Sequence, residues 1–564
     1  MKLVIVESPS KCKKIESLLG NGYRCKASVG HICEIANGLK GIDHQTLLPT
    51  YRLLKGKSGA VKKLGTECRS ADNTVFLATD PDREGEAIAY HLCLFLKLCP
   101  HTTPRVRFHE LTRDAVGKAF AEPSRIDMNL VRAQQARQVL DLYVGYKISP
   151  FLWKAVGPRL SAGRCQTPAL RMLWQREQQL RDPRQFTSRL HMTADFDHGL
   201  VQTVLLQPPA QWKDFLTVVE RMKENPCFEV TEVKTTTKRQ NPPPPFITSS
   251  IQQDCHSTFH YSPSVCMSIL QSLYEKGKIT YMRTDSPALS ETAMTECREQ
   301  VKKQYGTEFS ETRVYASSST TSQEAHEAIR PTCMAVKELA PSFTEPERKV
   351  YLRIWRRTMA SQMVAYRFSE TVTMVQHRAS SSVLDFQHTG RQSLHMGWKI
   401  VYGVSPETSH DPLLLGTTVL WQGGTVVQEY EKGRRRHSEA TLIRELEKHG
   451  IGRPSTFASL CTKILERRYA VIKNVQGITV SRFRATINSQ FFVETKEEGV
   501  TLGTDHGKYV VSETGQQVLA YLSTHFPWLL DYSFTRGMEA DLETIVSDQG
   551  RYHAILESYL SKIG

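Results

Sequence analysis

The stretch EKGKITYMRTDS, from Glu275 to Ser286, sets Tyr281, Arg283 and Asp285 at alternate positions. Side chains alternate along a strand, so these three share a face with Ile279, while Lys278, Thr280, Met282 and Thr284 take the other. A core-facing set does not ordinarily hold Tyr, Arg and Asp together. Tyr281 is therefore either a nucleophile or an aromatic at a sheet rim beside an Arg–Asp pair, which is the plainer reading of any isolated YxRxD.

A second cluster, ATDPDREGEAI, places Asp80 and Asp82 at the tip of a strand and Glu84 at the start of the next helix. That edge of a parallel α/β sheet is where ligands bind. Crowded carboxylates repel, and a hard divalent cation such as Mg²⁺ relieves the repulsion through oxygen ligands. An acidic helix N-terminus accounts for Glu84 and Glu86 without a metal, but Asp80 and Asp82 precede the helix. In VESPSK the first strand ends in Glu7 and Lys11 opens the next helix. If the two strands are neighbours, Glu7 joins the Asp80 group and Lys11 can reach a phosphate. LSAGRCQTPALR offers Ser161, Arg164 and Gln166, and GIGRPSTFA offers Arg453, Ser455 and Thr456 ahead of a helix whose free N–H groups favour anions. QEAHEAIRPT sets His326 and Arg330 four apart, on one face of an expected helix. GKS at 56–58 is a decoy: a phosphate-binding P-loop needs Gly at 51, where Tyr51 stands, so nothing supports ATP dependence.

These groups need elements to position them. KLVIVE leads through Ser8 and Pro9 into a helix that stops at Gly20, and TVFLATD leads through PDREGE into AIAYHLCLFLKL. Strand, polar turn and helix, used twice, imply an α/β domain with a mainly parallel sheet. Residues 125–180 read as helical, 186–235 as strands, 247–365 as mostly helical after the domain edge NPPPPF, and 366–430 as β-rich again. Helices then return and continue in pieces to the C-terminus. At 564 residues three or more domains are expected. The 73 Lys+Arg against 58 Asp+Glu, a formal charge of +15, suit a polyanionic partner, nucleic acid before membrane. Thirteen cysteines without a CxxC argue against a zinc ribbon and for a reducing, cytoplasm-like compartment. The apolar stretches are too short for a membrane span.

VIVESPSK, SVGHI, ATDPDREGEAIA, FHELT, QQARQVLDLYVGY, LSAGRCQTPAL, PPPPFITSSIQQ, ITYMRTDS, QEAHEAIRP, SEATLIRELEKHGIGRPSTFA and DYSFTRGMEADLE, in this order, resemble the type IA DNA topoisomerases, bacterial topoisomerase I more than topoisomerase III. The resemblance implies a multidomain toroid with a Toprim α/β domain at 1–123 and a helical DNA-binding domain at 124–180 and 431–564. It further implies a β-rich arch at 181–240 and 367–430, and a mostly helical domain at 241–366 carrying the nucleophile. By similarity Tyr281 forms a 5′-phosphotyrosine, Arg283 stabilises the pentacovalent phosphate and Lys11 contacts the scissile phosphate. Glu7 serves the leaving 3′-oxygen as a general acid and, with Asp80, Asp82 and Glu84, belongs to the Mg²⁺ site. His326 assists through phosphate or Asp contacts. His31, Arg137, Asp141, Tyr146, Ser161, Arg164, Gln166, Asp285, Arg453 and Thr456 match positions that hold single-stranded DNA. The implied enzyme is a monomer that relaxes negatively supercoiled DNA without ATP or zinc.

Two departures stand out. Bacterial topoisomerase I generally continues into C-terminal zinc ribbons, so this chain is expected to be a minimal enzyme or the cleavage core of a longer one. Gln138 and Leu142 occupy places where the family often has Arg. The rival readings are a topoisomerase III-like decatenase, a metal-dependent Toprim nuclease in which Tyr281 has no role, and a non-catalytic single-strand-binding protein.

Overall fold

The computed structural model describes residues 1–563 apart from 71–73, 182–186, 317–326, 378–383, 409–411 and 432–433. The apolar strand Lys2–Val6 (β1) is buried along its last four residues, as a parallel strand covered on both faces must be. It lies between Tyr23–Ala27 (β2) and Val75–Leu77 (β3), parallel to both. Helix Pro9–Leu19 (α1) begins with proline at a position that needs no N–H and ends at Gly20, whose φ is 74°. β3 runs through Asp80 and Asp82 into Arg83–Leu96 (α2). Both junctions thus leave the same edge of the sheet side by side.

Apolar clusters cover the sheet on each face. One holds Leu3, Ile5, Leu77 and Ile88. The other starts with Val4, Val6 and Phe76 and continues without a break through Tyr274, Ile279, Tyr281, Met282 and Trp355. The first domain and the Tyr281-bearing lobe therefore share one core. A helical body forms a further cluster, in which Met128–Ala155 (α3) and Gln166–Arg181 (α4) pack with the helices Glu439–Lys448, Phe457–Glu466, Tyr532–Ser547 and Tyr552–Ile563.

The nine-stranded sheet runs in the spatial order 418–419, 228–240, 366–377, 385–395, 203–205, 188–196, 421–430, 478–487, 493–502. Its last two strands correct the expectation of helices toward the C-terminus. Residues 470–475 and 505–511 form a two-stranded sheet, and the hairpin between them, 478–502, crosses to pair Gly424–Val427 with Arg484–Ile487. ITVSRFRATI alternates apolar and polar residues, a period-two pattern that fits a strand. Trp212–Glu224 is a helix inside a stretch read as strands, because Phe215, Val219 and Met222 recur at helical spacing and are buried. ITYMRTDS is extended but forms no ladder. Ile279 makes an isolated bridge to Pro331, and the N–H groups of Thr280 and Tyr281 reach the carbonyls of Arg330 and His109. Residues 327–330 are likewise not helical, and Ile329 bridges Phe246 instead.

Candidate active site and nucleic-acid groove

Asp82 is the point where the parts meet. It caps α2, its Oδ1 accepting the Gly85 N–H at 2.8 Å. Its Oδ2 faces the other lobe, accepting the Tyr281 hydroxyl at 2.6 Å and an Arg283 N–H at 3.2 Å. Helix capping and site chemistry thus fall on one carboxylate. Gly85 is obligatory for this turn, since a Cβ there would stand 2.1 Å from the Asp80 carbonyl oxygen. Arg105, fully buried, locks the strand tip by donating to the carbonyls of Thr79 (3.0 Å) and Asp80 (2.8 Å) and to Glu86 (3.0 Å).

Glu7 stands beside this group, its Oε1 accepting the Asp80 N–H at 2.9 Å. Burial first, then Asp80 and Asp82, push its carboxyl up to about 8. Lys11 is fully buried and ion-paired to Asp80, with its Nζ 5.1 Å from the Tyr274 ring centroid. Tyr281 is 2% exposed. Burial, then Asp82 and Asp80, hold its phenol well above the ordinary range, against the pull of Arg283. For Asp82 burial acts upward, but Arg283, the Tyr281 hydroxyl and the Gly85 N–H outweigh it and keep the carboxyl below its usual value.

Further contacts bind the two lobes around the tyrosine. The Tyr281 N–H donates to the His109 carbonyl at 2.7 Å and the Tyr274 hydroxyl to the Phe108 carbonyl at 3.3 Å. Arg330 forks between Glu110 (2.9 Å) and Glu327 (2.7 Å). Gly277, at φ 66°, lies so near the Leu111 carbonyl that a Cβ would stand 2.7 Å from it.

A small cleft opens from Asp82, lined also by Glu84, Arg137, Arg283, Asp285 and Arg453. Glu84 and Arg137 border as well a long groove with His31, Asp141, Tyr146, Ser161, Arg164, Gln166 and Thr456. Residues expected to hold single-stranded DNA are thus brought to a path that ends at Asp82. Lys11, Glu7 and Tyr281 line neither cleft, and His326 lies outside the described residues. Arg137, Arg164 and Arg453 converge on buried Glu539, at 2.7 Å from Arg137 and 3.5 Å from Arg453. Sequence reasoning assigned no role to Glu539, Arg105, Glu110 or Tyr274. The one signal was the carboxylates of GMEADLE, set one helical turn apart.

The four expected metal ligands are not gathered as one set. Lys11 takes Asp80, and Glu84 turns to His31 at 3.5 Å and to Gln134 at 3.3 Å. No group of three or more His, Cys, Asp or Glu stands ready to hold a metal among the described residues. The donors nevertheless fit Mg²⁺, which needs only one or two carboxylates and keeps its waters. Asp82 and Glu84 both face the cleft, and the Glu7 carboxyl is raised by burial first and only then by Asp80 and Asp82, whose charge a cation would offset.

Comparison with known proteins agrees with this geometry. Residues 2–111 match the Toprim domain, and residues 125–495 match the DNA topoisomerase family. The chain belongs to the type IA DNA topoisomerases. It is similar to full-length topoisomerase I from Thermotoga maritima, at 30% identity and a TM-score of 0.83 over 100% of this chain and 89% of that one. It is thus a DNA-binding isomerase of the bacterial topoisomerase I kind, with a Toprim α/β domain in a multidomain toroidal core. No helix among the described residues is long and apolar enough to cross a membrane.

Proposed function

We propose that this enzyme relaxes negatively supercoiled DNA without ATP, through a transient 5′-phosphotyrosine at Tyr281. Tyr281 Oη attacks the phosphorus, the bond to the 3′-oxygen breaks, and a free 3′-OH remains to reverse the step. Asp82 Oδ2, at 2.6 Å, is within reach of the phenolic proton. Glu7, protonated up to about pH 8, can give a proton to the departing 3′-oxygen. Arg283 and Lys11 supply positive charge to the phosphate as it gains a fifth oxygen. Lys11 does so only once the lobes shift, because it is now buried on Asp80. Mg²⁺, held by Asp82 and Glu84 with Asp80 and Glu7 behind them, would neutralise charge on the phosphate oxygens. His31, Arg137, Asp141, Tyr146, Ser161, Arg164, Gln166, Asp285, Arg453 and Thr456 hold the single strand, and His326 assists at the phosphate. The enzyme acts as a monomer in the cytoplasm and needs no zinc. Its domains are those expected from the sequence, with the hairpin 478–502 added to the arch.

The observation that carries this reading is the Tyr281–Asp82–Arg283 contact between two lobes joined by one core. The test uses negatively supercoiled plasmid with Mg²⁺ and no ATP, for wild type and Tyr281→Phe, resolved before and after protease treatment. Wild type is expected to give a ladder of topoisomers and protein-linked 5′ ends, and the variant neither. Full nicking by Tyr281→Phe would hand the site to a Toprim nuclease instead.

A further inference from the structure

The nine-stranded sheet meets the helical body at a groove lined by Tyr430, Arg434, Arg435, Arg436, Gln476 and His506. It shares no lining residue with the clefts at Asp82. Its arginines are set by their surroundings. Arg436 pairs with buried Asp505 at 3.3 Å, yet its Nε is buried and has no hydrogen-bond partner. Arg434 donates to Gln179 at 3.1 Å, and the Arg435 carbonyl accepts from Arg176 at 2.9 Å, which brings a further guanidinium to the rim. Arg444 and Lys508 add to the same field, for both act on the adjoining buried His437. These cations outnumber the carboxylates among them, Glu431, Glu445 and Asp505.

Such a cluster carries more positive charge than its own acids balance. Arginine forks match phosphate oxygens. Helix α4 connects this place with the active-site groove: Gln166 at its start lines that groove, while Gln179 and Leu180 near its end border this one. At 1.5 Å per residue, Gln166 and Gln179 on this helix lie about 20 Å apart.

We propose that this arginine groove is a second DNA site, which holds the phosphodiester backbone of the substrate beyond the single-stranded segment at Tyr281. The assignment rests on the topoisomerase reading above. It makes no contact with base edges, so it adds affinity and salt dependence without sequence preference.

The test compares wild type with Arg434→Ala/Arg435→Ala, leaving Arg436 to keep Asp505 paired. Binding is measured between 50 and 200 mM salt on a short single-stranded oligonucleotide, a long single strand and a single strand flanked by duplex. Removing two phosphate contacts lowers the salt slope by about 1.8 if the groove takes duplex and about 1.4 if it takes single strand. Over that fourfold salt range the variant then loses roughly 12-fold or 7-fold less affinity than wild type. Affinity for the short oligonucleotide and its cleavage stay at the wild-type level. Equal slopes on all three DNAs would overturn the proposal, as would an equal loss on the short oligonucleotide at unchanged melting temperature. Cleavage of that oligonucleotide by wild type and not by Tyr281→Phe tests the topoisomerase reading separately.

Discussion

Replacing Glu7 by glutamine removes a carboxyl that folding lifts from 4.5 to about 8. Burial is the main cause and the neighbouring Asp80 and Asp82 the next, with Lys11 pulling the other way. The folded protein therefore holds this proton more tightly than the unfolded chain. The stability it contributes is complete below pH 4.5 and is lost as the pH rises toward 8. At 1.36 kcal/mol per pH unit the full interval is worth roughly 5 kcal/mol. Since Glu7 shares its environment with two other carboxylates, roughly 2–5 kcal/mol is expected in practice. Glutamine stays neutral throughout, so Glu7→Gln should match wild type near pH 4.5 and exceed it progressively up to pH 8. A chain of several domains does not unfold in one step. Hydrogen exchange of the buried β1 amides, followed in EDTA from pH 5 to 8.5, reads the effect where it arises. A constant difference between the two proteins across this range would refute the reasoning.

Other perturbations test other parts. Arg330→Ala leaves Glu110 and Glu327 without their shared partner and should cost about 3–5 kcal/mol, read as a lowered melting temperature. In the double variant with Glu110→Gln the losses should not add. Glu539 is buried, which acts upward, but Arg137, Arg164 and Arg453 hold its carboxyl far below the usual range. Its stabilising contribution is thus present above pH 4.5 and lost as the pH falls further, and acid unfolding of Glu539→Gln should lack that component. Restoring arginine at Gln138 and Leu142, which both line the groove, should steepen the salt dependence of single-strand binding by about 0.7 for each added contact.

Residues that bear chemistry were legible in the sequence wherever neighbours along the chain announced them. Asp80, Asp82 and Glu84 sit in one turn, and Tyr281 with Arg283 in one extended segment. The parallel pair β1 and β3 put Glu7 beside Asp80, as the two strand–turn–helix units implied. What could not be read depends on partners distant in the chain. Arg164 and Glu539 are 375 residues apart, and Arg330 and Glu110 are 220 apart, so no local pattern marks either clamp. ITYMRTDS has the alternation of a strand, but its hydrogen bonds go to loops and to Thr248 at the start of a helix, which periodicity does not reveal. The helix Trp212–Glu224 was hidden by the strands on either side, and the hairpin 478–502 by the helices that surround it.

That hairpin changes how the molecule can move. Without it the chain would leave the helical body after residue 181 and leave the sheet after residue 430. With it the chain passes twice more, at 475–478 and 502–505. At its other end the sheet joins the Tyr281 lobe at 240–248, which carries Pro242 to Pro245, and at 361–366, and Gly397–Tyr402 also packs into that lobe, with Val401 in its core. Both ends of the sheet are thus held by more than one passage of chain, and the hairpin adds its two at the end that meets the helical body. A parting of Tyr281 from Asp82 would then carry the sheet and the helical body together, coupled through the hairpin.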